Sequence, residues 1–255
     1  MLSQRQKKLI ASMANKKFRD EYKLFLAERP KIVSDLIVSG MKPRLICAAP
    51  GKELPKILIH FEIIEISQKE LDSISFQITP QQVLALFEQP EYTINYNAIK
   101  QELALVLDGI QDPGNLGTII RMADWFGINN IICSKDTVDV FNNKVVQATM
   151  GALAGVRVHY ADLAEFLGTY TKSCSNPVYG TFLEGNNLYQ EKLLTPSVIV
   201  LGNEGRGIRD NIAEYITDKI TIPMYSGSRG SESLNVGVSA AIVCAEFRRV
   251  EAYSK

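Results

Sequence analysis

The sequence predicts an α/β protein whose C-terminal part is a parallel sheet covered by helices on both faces. From Leu103 onward, short and almost wholly apolar runs alternate with helical patterns, beginning with LALVLDG and LGTIIRMADWFG. Three of the strand-to-helix turns are rich in glycine, asparagine or serine. Because such turns are where open α/β sheets bind ligands, we expect these three to build one site.

The elements of this part follow a regular order. The predicted strands after the first are NIICS, VRVHY, PVYGTFLE, SVIVLG and KITIPM. The predicted helices after the first cover residues 145–151 and 162–170, RDNIAEYIT and VGVSAAIVCAEFRRV. Alternation of this kind is typical of a doubly covered parallel sheet.

The first part of the chain predicts a smaller α/β domain. FRDEYKLFLAERPKIVSDLIVSG has two amphipathic stretches that end at Gly40, and SQKELDSI predicts a short helix. RLICAAP and KILIHFEIIEIS predict strands, whereas QQVLALFEQP fits either a strand or a helix. The polar segment 88–101 contains a proline and lacks periodicity, which indicates a linker. We therefore place the domains at residues 1–97 and 98–255.

Composition excludes several classes of protein. The 46% hydrophobic and 22% charged residues are typical of a globular protein with a real core. No run approaches the roughly 18 apolar residues that span a bilayer, and no cleavable leader is evident, so a cytoplasmic location without membrane contact is expected. The four cysteines form no C-x-x-C pair and there are two histidines, which predicts buried free thiols and no metal site.

Charge is distributed unevenly although the formal net charge is zero. Residues 1–31 hold nine basic side chains against three acidic ones. Such a segment can hold a polyanion close to the body of the protein. A solvated helix face explains the same pattern, and charge alone leaves both interpretations open.

The first glycine-bearing turn, Asp112-Pro113-Gly114-Asn115, precedes a predicted helix that Asn115 can cap. Arg121 falls on the face of this helix opposite the apolar arc, beside Gly117. The absence of a side chain at Gly117 would let a phosphate approach the guanidinium, whose shape suits phosphate oxygens. An ordinary exposed arginine is the alternative.

The second turn, GNEGRG from Gly202, follows an apolar strand but is not the G-x-G-x-x-G fingerprint of dinucleotide binding. Glu204 in this turn can cap a helix or hold a basic partner. The third segment, SESLN, leads into a helix at Val236. Ser233 or Asn235 can cap that helix, and the same side chains could orient a nucleophile.

Together these segments resemble the SpoU (TrmH) family of S-adenosylmethionine-dependent RNA ribose 2′-O-methyltransferases. The first family motif corresponds to Asn115 through Arg121, the second to LGNEGRG and the third to IPM…SLNVGVSAA. KVVQATMGAL is similar to a further family stretch, with Thr149 where serine is usual. This similarity covers about residues 103–250.

The first domain resembles the ribosomal-protein-like RNA-binding domain of many members, in FLAERPKIV and TPQQVLALF. Arg29 and Gln82 stand where those members usually have glycine. The resemblance thus implies a small substrate-binding domain before the methyltransferase domain.

For the second domain, the resemblance implies a trefoil-knotted SPOUT-type fold and an obligate homodimer in which the first motif meets a site of the other subunit. It implies S-adenosylmethionine bound by Thr181, Gly202, Ile222 and Leu234. The implied catalytic positions are Asn115, Arg121, Glu204, Ser233 and Asn235. The loop from Met224 to Glu232 is about three residues longer than is usual in the family.

The resemblance makes the arginine matching Arg121 a general base. Because a guanidinium resists deprotonation in proteins, we expect Arg121 instead to hold a phosphate and stabilise negative charge on the 2′-oxygen. The two-domain layout favours rRNA over tRNA as substrate. A non-catalytic RNA-binding or ribosome-assembly factor of the same fold is the competing hypothesis, while missing nucleotide fingerprints disfavour an oxidoreductase or kinase.

Overall fold

A computed structural model describes residues 1–226 and 233–253. The strands are β1 Leu24–Glu28, β2 Pro43–Ala48, β3 Ile64–Glu65, β4 Val83–Glu88, β5 Leu103–Asp108, β6 Asn130–Ser134, β7 Arg157–Ala161, β8 Val178–Asn187, β9 Ser197–Gly202 and β10 Asp218–Thr221. The helices are α1 Gln4–Ser12, α2 Lys16–Tyr22, α3 Pro30–Val38, α4 Gln68–Ile74, α5 Tyr96–Ile99, α6 Pro113–Trp125, α7 Asn143–Thr149, α8 Leu163–Ser173, α9 Asp210–Ala213 and α10 Val236–Tyr253. Two 3₁₀ turns cover Lys56–His60 and Ala152–Ala154.

The chain divides into two compact units. Unit 1 comprises Met1–Glu91 together with Asp139–Gly155, and unit 2 comprises Tyr92–Val138 together with Val156–Lys255. The segment 139–155 lies within the predicted second domain in sequence but packs with unit 1. The ring centroid of Phe141, in this segment, lies 4.9 Å from that of Phe25. Apolar packing of this kind makes the segment part of unit 1, although it lies far from the rest of unit 1 in the sequence.

Unit 1 contains a four-stranded sheet in the order β1-β4-β2-β3. Strand β4 is antiparallel to both β1 and β2, whereas β3 is parallel to β2. QQVLALFEQP, which the sequence left undecided, forms β4, because all its residues from Val83 to Phe87 are buried in the middle of the sheet.

Two predictions in unit 1 are wrong. LFLAE, read as part of an amphipathic stretch, forms β1, whose five residues are all buried and therefore show no helical period. KILIH, read as a strand, forms a 3₁₀ turn after Pro55 in which Leu58 is the buried residue. A short apolar run in the sequence therefore does not by itself distinguish a strand from a 3₁₀ turn that buries a single side chain.

Unit 2 contains a six-stranded sheet in the order β10-β8-β9-β5-β6-β7, and every recorded pairing is parallel. This confirms the predicted fold class. The chain runs from β5 outward through β6 to β7 and then crosses to the other half of the sheet. β5 and β9 therefore meet at a topological switch point, where ligands bind in open α/β sheets. Their last residues, Asp108 and Gly202, are paired in register.

Helix α10 packs on α6 and on β9. Close approach of the two helices depends on Gly237, because a Cβ atom there would lie 3.0 Å from the Thr118 methyl group. The threading of α10 through an earlier loop stays a prediction of the family resemblance. In the described part of the chain, no helix is long and apolar enough to cross a membrane.

Candidate functional site

The first motif starts where β5 ends and α6 begins. Asp112, not Asn115 as predicted, caps α6, because its carboxylate accepts a hydrogen bond of 2.8 Å from the Asn115 N–H. Asn115 therefore lies in the first turn of the helix, where its side chain is not needed for capping. This leaves the Asn115 amide available for contacts with other segments.

The Asn115 amide connects all three motifs. Its Nδ2 donates to Oε1 of Glu204 over 2.5 Å, and its Oδ1 accepts from Nδ2 of Asn235 over 2.8 Å. Glu204 belongs to the second motif and Asn235 to the third. Three of the five predicted catalytic residues thus form one hydrogen-bonded line within a single chain.

Asn235 caps the last helix, as considered for it, and it also contacts the first motif. Its Oδ1 accepts hydrogen bonds from the N–H groups of Gly237 at 3.0 Å and Val238 at 3.3 Å, which caps α10. Its Nδ2 is directed to Asn115. Because the cap fixes the rotamer, the helix start holds the donor toward the first motif. Ser233 lies two residues earlier and is exposed.

The second motif folds into a tight turn. Asn203 and Gly207 exchange two backbone hydrogen bonds, of 3.0 and 2.8 Å. A Cβ atom at Gly202 would lie 2.3 Å from the carbonyl carbon of Gly207, so the turn folds directly over that glycine. Gly207 itself has φ +71°, which favours glycine. Gly202 and Gly207 are therefore required by the turn itself.

A buried carboxylate at the end of β5 anchors the segment after this turn. Asp108 is 1% exposed and accepts two hydrogen bonds from Arg209, one from the backbone N–H at 2.8 Å and one from Nε at 2.7 Å. This ion pair raises the pKa of Arg209. The Ser134 hydroxyl, the backbone N–H of Asp136 and Arg209 together lower the pKa of Asp136.

Sequence reasoning missed Asp108, Asn203 and Arg209. The signal for Asp108 was present, since an acidic residue closes a strand that is otherwise fully apolar. A buried charge needs a partner, and that partner is Arg209. The partner was not predictable, because it lies 101 residues further along the chain.

Arg121 lies on α6 and is exposed. Among the described residues it makes no hydrogen bond or ion pair. The predicted open space beside it is wrong, because Gly117 is buried. The neighbouring Trp125 is 84% exposed, so the solvent-facing side of α6 carries a cation next to a large apolar surface.

Three of the four predicted cofactor contacts lie on, or directly after, neighbouring strands of the sheet, and the fourth precedes a helix. Thr181 is on β8 and its hydroxyl donates to the Val200 carbonyl of β9 at 3.3 Å. Gly202 ends β9, Ile222 follows β10 directly, and Leu234 precedes α10. The strand order places β10, β8 and β9 side by side. In the loop Met224–Glu232, residues 227–232 lie outside the described residues.

Cysteine, histidine and acidic side chains are the potential metal ligands of this chain. No cluster of three or more potential ligands occurs in residues 1–226 and 233–253. Cys174 is a free thiol but only half-buried, which differs from the prediction. Cys47, Cys133 and Cys244 are buried free thiols, as predicted, and burial raises the pKa of Cys47 and of Cys244 to about 12. These side chains therefore remain protonated packing groups at neutral pH.

This combination of a parallel sheet, a glycine-bearing switch point and three joined motifs defines a SPOUT-type methyltransferase unit. The chain belongs to the SpoU rRNA methylase family, whose sequence profile matches residues 102–245, more than half of the chain. The profile of the MRM3-like substrate binding domain matches residues 5–85. The predicted family membership is confirmed.

Individual relatives agree with this assignment. The 23S rRNA (guanosine(2553)-2′-O)-methyltransferase RlmP of Bacillus subtilis is 30% identical over 235 residues, covering 91% of this chain and 92% of RlmP. A TrmH-family RNA methyltransferase structure from Porphyromonas gingivalis has a TM-score of 0.85 at 38% identity, covering 98% of this chain and 99% of that one. An AdoMet-bound rRNA methyltransferase from Sinorhizobium meliloti has a TM-score of 0.84 at 28% identity, covering 98% and 96%.

Proposed function

We propose that this protein transfers the methyl group of S-adenosylmethionine to a ribose 2′-hydroxyl of ribosomal RNA. The observation that carries the proposal is the hydrogen-bonded line from Glu204 through Asn115 to Asn235, which joins all three motifs of the family. A protein that had kept only the fold would have no need to preserve this polar line. The relative RlmP is named as a methyltransferase of 23S rRNA, which supports the substrate class.

The residues at the proposed cofactor positions fit S-adenosylmethionine. Thr181, Gly202, Ile222 and Leu234 are glycine, aliphatic or hydroxyl residues, and none carries a charge that would repel a sulfonium. The cofactor, when bound, supplies an electrophilic methyl group. The protein must then align the ribose oxygen with that methyl carbon, which is mainly a problem of positioning.

Arg121 is the proposed electrostatic catalyst. Its exposed guanidinium has no partner in the described part of the chain and can therefore receive a substrate phosphate. In that position it stabilises the negative charge that develops on the 2′-oxygen. Asn115, Glu204, Ser233 and Asn235 orient the ribose and the guanidinium. Dependence on a 2′-hydroxyl also explains selection of RNA over DNA.

The protein is proposed to act as a homodimer, with Arg121 of one subunit facing the cofactor of the other. The exposed apolar residues on the two packed helices support this: Trp125 on α6 is 84% exposed and Val238 on α10 is 48% exposed. Apolar surface of this kind is typical of an interface. We further propose that unit 1 contacts the RNA and that the reaction takes place in the cytoplasm.

Mixing two inactive variants tests the dimeric site. Arg121→Ala and Gly202→Val are each expected to be inactive, whereas unfolding and refolding them together should restore about a quarter of the wild-type activity. In such a mixture half of the dimers are heterodimers, and one of the two sites of each heterodimer is intact. If activity stays at the level of the separate variants, each site is built within one subunit.

The substrate is tested with labelled S-adenosylmethionine. Purified wild-type protein is incubated with rRNA and with tRNA from cells that lack the gene, and methyl incorporation is counted. We expect incorporation into large-subunit rRNA and none into tRNA. Incorporation into tRNA alone would make the protein a tRNA methyltransferase, and none into either RNA would favour a non-catalytic assembly factor.

A further inference from the structure

We infer that Asn203 is a positioning residue that locks the Gly202–Gly207 turn to the end of β5 and thereby holds Glu204 against Asn115. This inference rests on the proposed function and adds a residue to the same site. In this role Asn203 acts through the carboxylate beside it, that of Glu204.

The Asn203 side chain satisfies the inside of the turn. Its Oδ1 accepts hydrogen bonds from the N–H groups of Gly205 at 3.0 Å and Arg206 at 3.1 Å. Together with the two backbone bonds to Gly207, these contacts fix the backbone on both sides of Glu204. The fixed backbone therefore restricts the directions in which the Glu204 side chain can point.

The other end of the same amide fastens the turn to the first motif. Asn203 Nδ2 donates to the Gly109 carbonyl oxygen over 2.7 Å. Gly109 directly follows β5, has φ +74° and donates its own N–H to the Ser134 hydroxyl at 2.9 Å. The carbonyl that Asn203 holds is thus part of a well-supported loop. This bond fixes the distance between the second motif and the loop that leads to Asn115.

The chemistry of the amide is essential to this role. An asparagine presents an acceptor to the turn and a donor to Gly109 at the same time. Asn203→Asp would keep the acceptor but place a carboxylate against the Gly109 carbonyl and beside Glu204. Asn203→Ser keeps a short hydroxyl near the turn but loses the amide donor to Gly109, and Asn203→Ala keeps neither group. The variants therefore separate the contributions of the turn and the anchor.

The experiment compares kcat and KM of these variants with wild-type protein. We expect Asn203→Ala to lower kcat about 10- to 100-fold with little change in KM for RNA, because misplacement by about 1 Å can cost this much. Asn203→Ser should recover part of the loss. Asn176→Ala serves as the matched control, since Asn176 also donates to a backbone carbonyl, that of Lys100. Asn176 precedes β8, so it lies at the opposite end of the parallel strands from the Gly202–Gly207 turn. The kcat of this control should stay at the wild-type value.

Coupling to Glu204 distinguishes positioning from general stabilisation. If Asn203 acts through Glu204, adding Asn203→Ala to Glu204→Gln should lower kcat by less than about twofold more. A full multiplication of the two effects would overturn the inference. A normal kcat for Asn203→Ala, together with a lower thermal stability, would also overturn the inference.

A spectroscopic measurement keeps the inference separate from the proposed function. NMR spectra are recorded on protein labelled with ¹⁵N-asparagine, and the side-chain amide resonance of Asn115 is assigned by its loss in Asn115→Ala. In Asn203→Ala, this resonance should shift toward the position that it has in Glu204→Gln. The wild-type position in Asn203→Ala would overturn the inference even if no RNA were methylated. Absence of methyl transfer by the wild type, with the expected shift present, would contradict only the proposed function.

Discussion

Asn115 and Glu204 share a hydrogen bond of 2.5 Å although 89 residues separate them in the sequence. The contact is possible because β5 and β9 are adjacent parallel strands whose last residues are in register. Each strand then delivers its own turn to the same edge of the sheet. The sheet topology thus assembles the site, and the turns supply the polar groups.

We expect Asn115→Asp to lower kcat at least as much as Asn115→Ala does. The aspartate would place a second carboxylate at hydrogen-bond distance from Glu204, and neighbouring like charges repel. Initial rates of methyl transfer at neutral pH measure this. A more active aspartate variant would show that Glu204 does not need the amide as donor.

Gly202→Ala should weaken S-adenosylmethionine binding by more than about tenfold. The new methyl group would lie 2.3 Å from the Gly207 backbone, so the turn would have to open. Gly205→Ala is the matched control, because a Cβ there meets only the Asn203 amide oxygen at 3.7 Å. Titration calorimetry should show near-normal affinity for this control. Equal losses in both variants would argue against the close packing at Gly202.

Arg19→Ala should destabilise unit 1 by about 3–5 kcal/mol, the usual cost of leaving a buried charge unpaired. Arg19 contacts Asp139 at 2.6 Å, with 3% and 10% of the two side chains exposed. The exposed pair Lys16–Asp20 is the comparison, and Lys16→Ala should cost less than about 1 kcal/mol. Urea unfolding measures both. Similar values would mean that the segment 139–155 contributes little to unit 1.

Glu28→Gln should remove part of the pH dependence of unfolding. Burial raises the pKa of Glu28, partly offset by hydrogen bonds from Ser75 and the Phe76 N–H. A carboxyl group with a raised pKa binds its proton more tightly in the folded state. The free energy of unfolding therefore rises as pH falls through the folded-state pKa and levels off below the ordinary value of about 4.3.

The test compares wild type with Glu28→Gln in urea at a series of pH values from neutral to mildly acidic. The glutamine variant should gain less stability on acidification than wild type does. Parallel curves for the two proteins would show that Glu28 titrates normally.

The order of elements in unit 2 was predictable because its central strands β5, β6 and β9 are buried on both faces, and glycine-bearing turns follow β5 and β9. β5, for example, is apolar from Leu103 to Leu107 and ends at a turn signal. Unit 1 was less predictable, since β1 is too short and too uniformly buried to show a period. There, pairing with β4 across more than 50 residues decides the structure.

The candidate site likewise contains residues that were predictable from the sequence and residues that were not. The resemblance identified Asn115, Glu204 and Asn235, which the structure joins. The groups that hold them, Asn203 and Arg209, act through contacts with residues distant in sequence. Local patterns contain no information on such partners, because sheet order alone brings them together.

Alkaline hydrolysis of labelled RNA tests the central claim most directly. After transfer of a labelled methyl group from S-adenosylmethionine to rRNA, alkali cleaves every linkage except those that follow a 2′-O-methylated ribose. Ribose methylation therefore predicts label in an alkali-resistant dinucleotide, and Arg121→Ala should give none while binding the cofactor normally. Label recovered in mononucleotides would place the methyl group on a base and contradict the account.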